Sequence, residues 1–313
     1  MKGLLRLLLL PLLLAATGCD HRDLCYDHRH MAEVRIEFDW AEAPEASPAT
    51  MVVWFFPTDG SQGFRYELFP SDDDTRSTFD AQIMVPPGTY NVLCHNGSTE
   101  NNTEHGTSFQ DYVLKTFDDG LLSPLNRSEE APRPDASGDE PVRASCSELW
   151  THTLPDALTL TKDAPEPAHV RFTPRRMHET WHITVTDVEN LTADMEISGI
   201  ITGAAESYSP AMSHASGVEV TVPFAMKHCG TDCLRADVML FGDNAPHDVK
   251  HFLRIYTSFH YYYDFDITDQ VHDADGNHDR YISLSGLKLH NPGTGMMPDV
   301  NGWEDSENQE IKM

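Results

Sequence analysis

Apolar and polar side chains alternate with a period of two along much of the chain. Residues 34–40 and 180–186 show this alternation clearly. Because successive side chains of a strand point to opposite faces, the period predicts strands with one buried face. Residues 51–56 are apolar throughout and end at Pro57, which predicts a short strand buried on both faces. No segment has the period of a long amphipathic helix, so the pattern indicates an all-β protein.

Short strands with turn residues between them fill both halves of the chain, which is typical of β-sandwiches. Pro165 and Pro167 interrupt the pattern. We therefore predict two tandem β-sandwich domains, residues 33–164 and 165–290, followed by a polar tail at 291–313. Further strands are predicted at 64–69, 79–85, 90–94, 168–173, 195–202, 218–224, 233–241, 251–258, 260–267 and 281–285.

Three segments fall outside the strand pattern. Residues 121–145 carry four prolines among Ser, Asp and Glu, which predicts a long loop of the first domain. Residues 95–107 are polar and also predict a loop. Residues 204–212 could form a short helix or a 3₁₀ turn, limited by Pro210.

The N-terminus has the pattern of an export signal. Positive residues precede a short apolar stretch at 7–14, and small residues come directly before Cys19. The apolar stretch is far shorter than the roughly 20 residues of a membrane-spanning helix. We predict a cleaved lipoprotein signal at 1–18, acylation of Cys19 and a tether at 19–32, so that the N-terminal lipid binds the membrane. An ordinary secretory signal with a chance cysteine is the alternative.

Charge and cysteine content narrow the possible partners. The formal net charge is −28, which disfavours nucleic acid as a partner. Six cysteines are present, and five remain after Cys19 is assigned to lipid. An exported chain can oxidise its thiols, and Cys229 with Cys233 is the most plausible disulfide. Free thiols, or a metal site that includes this pair, remain open as alternatives.

One acidic stretch superficially resembles a calcium loop. Asp273, Asp275, Asn277 and Asp279 alternate oxygen-bearing side chains, as a hard cation prefers. The EF-hand order needs glycine at the sixth position, whereas Gly276 stands at the fourth. A hairpin turn at Asp275 and Gly276 explains the stretch better, so these residues are weak metal candidates.

Three consecutive tyrosines, Tyr261, Tyr262 and Tyr263, lie on a predicted strand. Alternate members face opposite sides, so one or two rings should be exposed or lie against another domain. Stacking on a sugar is one interpretation, and core or inter-domain packing is the other. No nucleophile elbow, phosphate loop or dinucleotide motif is present, so we predict neither an enzyme nor a cofactor.

Several short motifs in a fixed order carry a family resemblance across nearly the whole chain. They resemble the DUF5119 family of lipoproteins from Bacteroides-like bacteria, which is similar to the fimbrillin-like superfamily of fimbrial anchor and accessory subunits. The motifs are CDHRDLCYDH at 19–28, FDW at 38–40, PGTY at 87–90, ISGII at 197–201, YDFDITDQV at 263–271 and DVNGW at 299–303.

The resemblance implies two transthyretin-like or immunoglobulin-like β-sandwich domains and an acylated Cys19. It further implies an outer-membrane or cell-surface location and a structural or adhesion role, with fimbrial subunits as partners. A glycan-binding surface lipoprotein is the alternative. A strand lent to a neighbouring subunit should be long and apolar at alternate positions. The tail has only Val300, Trp303 and Ile311 as apolar anchors, which favours an anchor or accessory subunit over a polymerising one.

Overall fold

The structure of the protein is a computed structural model that describes residues 30–70, 81–162, 164–243, 249–273, 278–290 and 303–305. Cys19, most of the predicted tether, Asp275 and Asn277 lie outside these residues. About half of the structure is strand, and the rest is mostly turn and loop, with one short α-helix, α1 (Thr268–His272), and two 3₁₀ turns, so the predicted fold class is confirmed. No helix in this described part is both long and apolar enough to cross a membrane.

The strands of the first sandwich are β1 (Ala32–Phe38), β2 (Thr50–Pro57), β3 (Phe64–Leu68), β4 (Ala81–Val85), β5 (Gly88–Gly97), β8 (Trp150–Thr153), β9 (Leu158–Leu160), β10 (Ala168–Phe172) and β11 (Arg175–Arg176). A three-stranded sheet in the order β10-β1-β4 packs against a sheet in the order β11-β8-β5-β2-β3, with β9 also paired to β5. In β1 the alternation seen in the sequence places Val34, Ile36 and Phe38 in the core, which they share with Val53 and Phe55 of the facing sheet.

The strands of the second sandwich are β12 (Glu179–Thr186), β13 (Ile197–Ser209), β14 (His214–His228), β15 (Leu234–Leu240), β16 (Phe252–Thr257), β17 (Tyr261–Asp266), β18 (Asp279–Ser285) and β19 (Glu304–Asp305). They form one sheet folded over itself, in the order β18-β12-β15-β14-β13-β16-β17-β19. The long strand β14 pairs with β13, and its last residues Lys227 and His228 pair with β15, so β14 joins the two layers. Both layers contribute to one apolar core.

Strand pairing extends the first sandwich about ten residues beyond the boundary predicted at residue 165. β10 pairs in parallel with β1, from Val34 opposite Ala168 to Phe38 opposite Phe172, and β11 pairs with β8. The chain therefore leaves the first sandwich only after Arg176. Prolines interrupt the chain locally, whereas membership of a sandwich is decided by pairing with a strand more than a hundred residues away.

The region predicted as a helix or turn at 204–212 is largely strand, because β13 continues to Ser209. Every residue of β13 is buried, so the sequence lacks the alternation that identifies a strand. Two register shifts interrupt its pairing with β14, and Gly203 there adopts a positive φ of 74°. Such bulges break a period of two even in a continuous strand.

A hairpin links the two sandwiches. It begins within the loop predicted at 95–107 and ends after it. It consists of β6 (Thr103–His105) and β7 (Val113–Lys115), and β7 pairs with β13 of the second sandwich. On the other side, Glu104 of β6 accepts hydrogen bonds from Trp54 and Arg65 of the first sandwich. The hairpin therefore holds the two sandwiches to each other.

A buried histidine lies where the chain passes from one sandwich to the other. The N–H of Leu149 donates to His178 Nδ1 at 2.9 Å, and the His178 ring packs edge-on against Trp150. Burial, helped by the positive charge of Arg176, lowers the pKa of His178 to about 4. His178 is therefore neutral at physiological pH, which its hydrogen bond requires.

Candidate partner-binding site

The outer face of the second sandwich carries a row of large side chains on β13, β16 and β17. Leu253 and Ile255 of β16 face the core, so Arg254 and Tyr256 face outward. Tyr256 lies opposite Tyr262, and Arg254 lies between Ile200 and Asp264 in the strand register. We call this surface the floor. Ile200, Tyr256 and Tyr262 form its apolar part, and Arg254 and Asp264 form its charged part.

The charged part of this floor is rigid. Arg254 makes a two-pronged ion pair with Asp264, its cross-strand partner. The guanidinium also lies over the ring of Tyr262, 4.2 Å from its centroid, in a cation–π contact. Paired charges and a stacked ring leave the floor little freedom to rearrange.

Residues 121–133, here called the strap, cover the apolar part of this floor. Leu122 and Leu125 pack on Ile200 and Tyr256, and the Tyr256 hydroxyl donates to the carbonyl of Pro132 at 2.7 Å. Burial raises the pKa of Tyr256 to about 12. The loop predicted at 121–145 therefore packs on the second sandwich, although its sequence position assigned it to the first. The apolar leucines near its start were the signal in the sequence for this burial.

A short segment of the C-terminal tail completes the site. Trp303 packs with the strap and the floor, its ring meeting Tyr256 and His260 edge-on at centroid distances of 5.3 Å and 5.0 Å. The Trp303 indole N–H donates to the carbonyl of Glu130 in the strap at 3.1 Å. Directly after it, β19 pairs in parallel with β17. The sheet edge with its adjacent apolar slot thus accepts an extended segment carrying one aromatic side chain, and we call it the strand-accepting site.

The three predicted tyrosines lie at this site but do not form an exposed sugar platform. Tyr261 and Tyr263 point inward and belong to the core, with exposures of 5% and 3%. Tyr262 points outward and is half-buried beneath Arg254. The expectation of alternate facing is met, and the outer ring of Tyr262 packs with the strap and Trp303. Ligand contact by these tyrosines stays a prediction.

The other predicted site residues fall elsewhere. Cys229 and Cys233 form a disulfide across the turn between β14 and β15. Asp273 follows the last residue of α1, and Asp279 on β18 pairs with Arg176 at 2.7 Å. Within the described residues, no group of three or more His, Cys, Asp or Glu side chains could hold a metal ion.

The fold is shared with solved structures of Bacteroides proteins. A crystal structure from Bacteroides ovatus, described as a "putative adhesin", aligns with a TM-score of 0.60 at 17% identity, over 89% of this chain and 99% of that chain. A structure from Bacteroides thetaiotaomicron, described as "putative polysaccharide binding proteins (DUF1812)", aligns with a TM-score of 0.51 at 12% identity, over 82% of this chain and 90% of that chain. At these identities the likeness establishes the fold alone.

The chain belongs to the family described as "Domain of unknown function (DUF5119)", whose model matches residues 18–225, so the predicted family is confirmed. A Bacteroides ovatus protein named "Putative fimbrium anchoring subunit Fim4B" is 33% identical over 95 residues. That match covers 30% of this chain and 26% of the relative, so it spans about a quarter of the relative's length. None of these proteins is named as an enzyme.

Proposed function

We propose that the protein is a lipid-anchored cell-envelope protein with a structural or adhesion role, acting as a fimbrial anchor or accessory subunit. The observation that carries the proposal is the strand-accepting site. A strand segment of another protein that carries an aromatic residue would satisfy the same edge and slot by β-augmentation. The partial identity to a protein named as a fimbrium anchoring subunit supports a fimbrial subunit as that partner.

The anchoring half of the proposal rests on Cys19. Thirteen positions separate Cys19 from the start of β1 at Ala32. At 3.3–3.6 Å per residue, a fully extended chain of this length reaches at most about 45 Å. The first sandwich would therefore lie close to the membrane, and the strand-accepting site on the second sandwich would be presented to a partner. We place the protein at the outer membrane, in keeping with the lipoprotein signal and with a fimbrial partner at the cell envelope.

Two substitutions test the anchor. Cys19→Ala removes the acylated thiol, so we expect the protein to move from the membrane fraction to the soluble fraction and to lose labelling by radioactive palmitate. Cys25→Ala is the matched control, since it removes a nearby cysteine that the signal does not use, and it should leave both measurements unchanged. Membrane retention of the Cys19→Ala protein would contradict lipid anchoring.

A deletion and one substitution test the partner. Deletion of the gene should release fimbriae into the medium while fibre assembly continues, because an anchor holds fibres but does not build them. Trp303→Ala weakens the hold of the tail on the site, so more fimbrial subunit should be captured by the purified protein. Phe69→Ala, which removes an exposed ring from the first sandwich, should leave capture unchanged. Fibres that stay attached to cells without the gene would overturn the anchor role.

A further inference from the structure

The outer face of β18, β12 and β15 carries one strongly exposed tyrosine. Trp181, Ile183 and Ile282 on these strands face the core, so the residues between them face solvent. Tyr281 is 68% exposed. Its ring stacks on His182, its direct partner on β12, with centroids 4.9 Å apart and ring planes 23° apart. The rest of the Tyr281 ring remains open to solvent.

Polar contacts on both sides fix the ring on which Tyr281 stacks. His182 Nδ1 bonds to Asp237 on β15 at 2.6 Å, and Asp279 lies 3.8 Å from His182 Nε2. Asp279 is in turn held by Arg176 at 2.7 Å. Because His182 is held in place, the exposed tyrosine is supported in one orientation before any ligand arrives. Such preorganisation reduces the entropy lost on binding.

This face is balanced in charge on a protein that is otherwise strongly acidic. The whole chain has a formal net charge of −28. Here, however, Arg176 and the exposed Arg235 offset Asp237 and Asp279. The outward row of β18 also presents the hydroxyl of Ser283. A balanced face with an exposed ring complements an uncharged, hydroxyl-rich ligand better than a strongly cationic or anionic one.

We propose that this face binds a neutral pyranose sugar of a glycan. The C–H groups on one side of a pyranose carry partial positive charge, which suits the negative face of the Tyr281 ring. Asp279 and Ser283 flank Tyr281 on the same strand and the same face, so their oxygens can accept hydrogen bonds from sugar hydroxyls. This binding goes beyond the anchoring role and does not depend on it.

Glycan binding by the full-length protein, purified in a detergent without sugar headgroups, tests the proposal. The probes are neutral gluco-, manno-, galacto- and xylo-oligosaccharides, with sialylated and sulfated glycans for comparison. We expect binding to at least one neutral series, and Tyr281→Ala should lower that affinity about tenfold or more. Tyr281→Phe keeps the ring and should stay within about threefold of the wild type. Phe117→Ala, an exposed ring elsewhere, should have no effect.

A second variant guards against a folding defect. Ser283→Arg leaves the ring in place but adds a long charged side chain beside it, so it should also weaken binding. Unchanged thermal unfolding of each variant establishes that the fold is intact. Absence of binding to every neutral probe would overturn the proposal, as would binding that survives Tyr281→Ala or that is confined to the charged glycans. Each of these results leaves the test of fimbrial anchoring unaffected.

Discussion

The buried His178 at the junction of the sandwiches should make stability depend on pH in a defined window. In the folded protein its pKa is lowered from 6.5 to about 4, first because the ring is buried and second because Arg176 is nearby. Between these two pH values the unfolded chain binds a proton that the folded chain does not. The stabilisation is therefore fully present above pH 6.5 and is lost as the pH falls towards 4.

The magnitude follows from the proton affinity. Each pKa unit corresponds to about 1.4 kcal/mol, so the depression of the His178 pKa to about 4 amounts to about 3 kcal/mol. The side chain is only 3% exposed, so solvent screening is small. Protonation of Nδ1 would also replace the acceptor that Leu149 N–H needs by a second donor. The hydrogen bond that Leu149 N–H donates would then be lost at the end of the β8–β11 pairing.

His178→Asn is the informative substitution, because its side-chain oxygen can still accept from Leu149 and does not titrate. We would measure urea unfolding of both proteins in steps from pH 7.5 to pH 4. The difference in free energy of unfolding between wild type and variant should shift by about 3 kcal/mol across this range, in favour of the variant at low pH. Burial also lowers the pKa values of His95, His152 and His251, but these contribute equally to both proteins. A difference that stays constant with pH would refute the assignment of His178 as a buried neutral group.

Two further predictions concern the linking hairpin and the disulfide. Gly106→Ala should destabilise the protein by about 2 kcal/mol or more in urea unfolding, because Gly106 has a φ of 94° and an added Cβ would collide with the carbonyl of Asp111. Gly120→Ala, where a Cβ meets open space, should change stability by about 0.5 kcal/mol or less, and equal effects of the two would contradict this reasoning. Reduction of the Cys229–Cys233 disulfide opens a five-residue loop and should remove about 2 kcal/mol from the free energy of unfolding. The double Cys→Ser variant should be equally destabilised and insensitive to reductant, and a wild type that is unaffected by reductant would show that the bond contributes nothing.

Sequence pattern alone determined the fold class and the position of most strands. Strands with one solvent-exposed face, such as β1 and β12, alternate between core-facing and outward-facing side chains. Successive side chains of a strand point to opposite faces, so the order of apolar and polar residues reveals the strand. In β13 every residue is buried and two register shifts interrupt the alternation, so the sequence of its second half does not distinguish a strand from a helix or a turn. The same parity would have identified Tyr281 as outward-facing, since Ile282 and Leu284 mark the inward row of β18.

The lipid attachment at Cys19 is a prediction from the sequence. It depends only on a few consecutive residues at the N-terminus, so no tertiary contact is needed to make it. Everything that defines the strand-accepting site required the tertiary structure. The strap, the floor and Trp303 are separated by up to about 180 positions in the sequence, and their contacts depend on long-range strand pairing. The position of β10 also depends on a long-range pairing. The prolines before it suggest that it begins the second sandwich, but it pairs with β1 of the first. A local sequence pattern indicates whether a side chain is buried. Which residues bury it depends on contacts between segments that are far apart in the sequence.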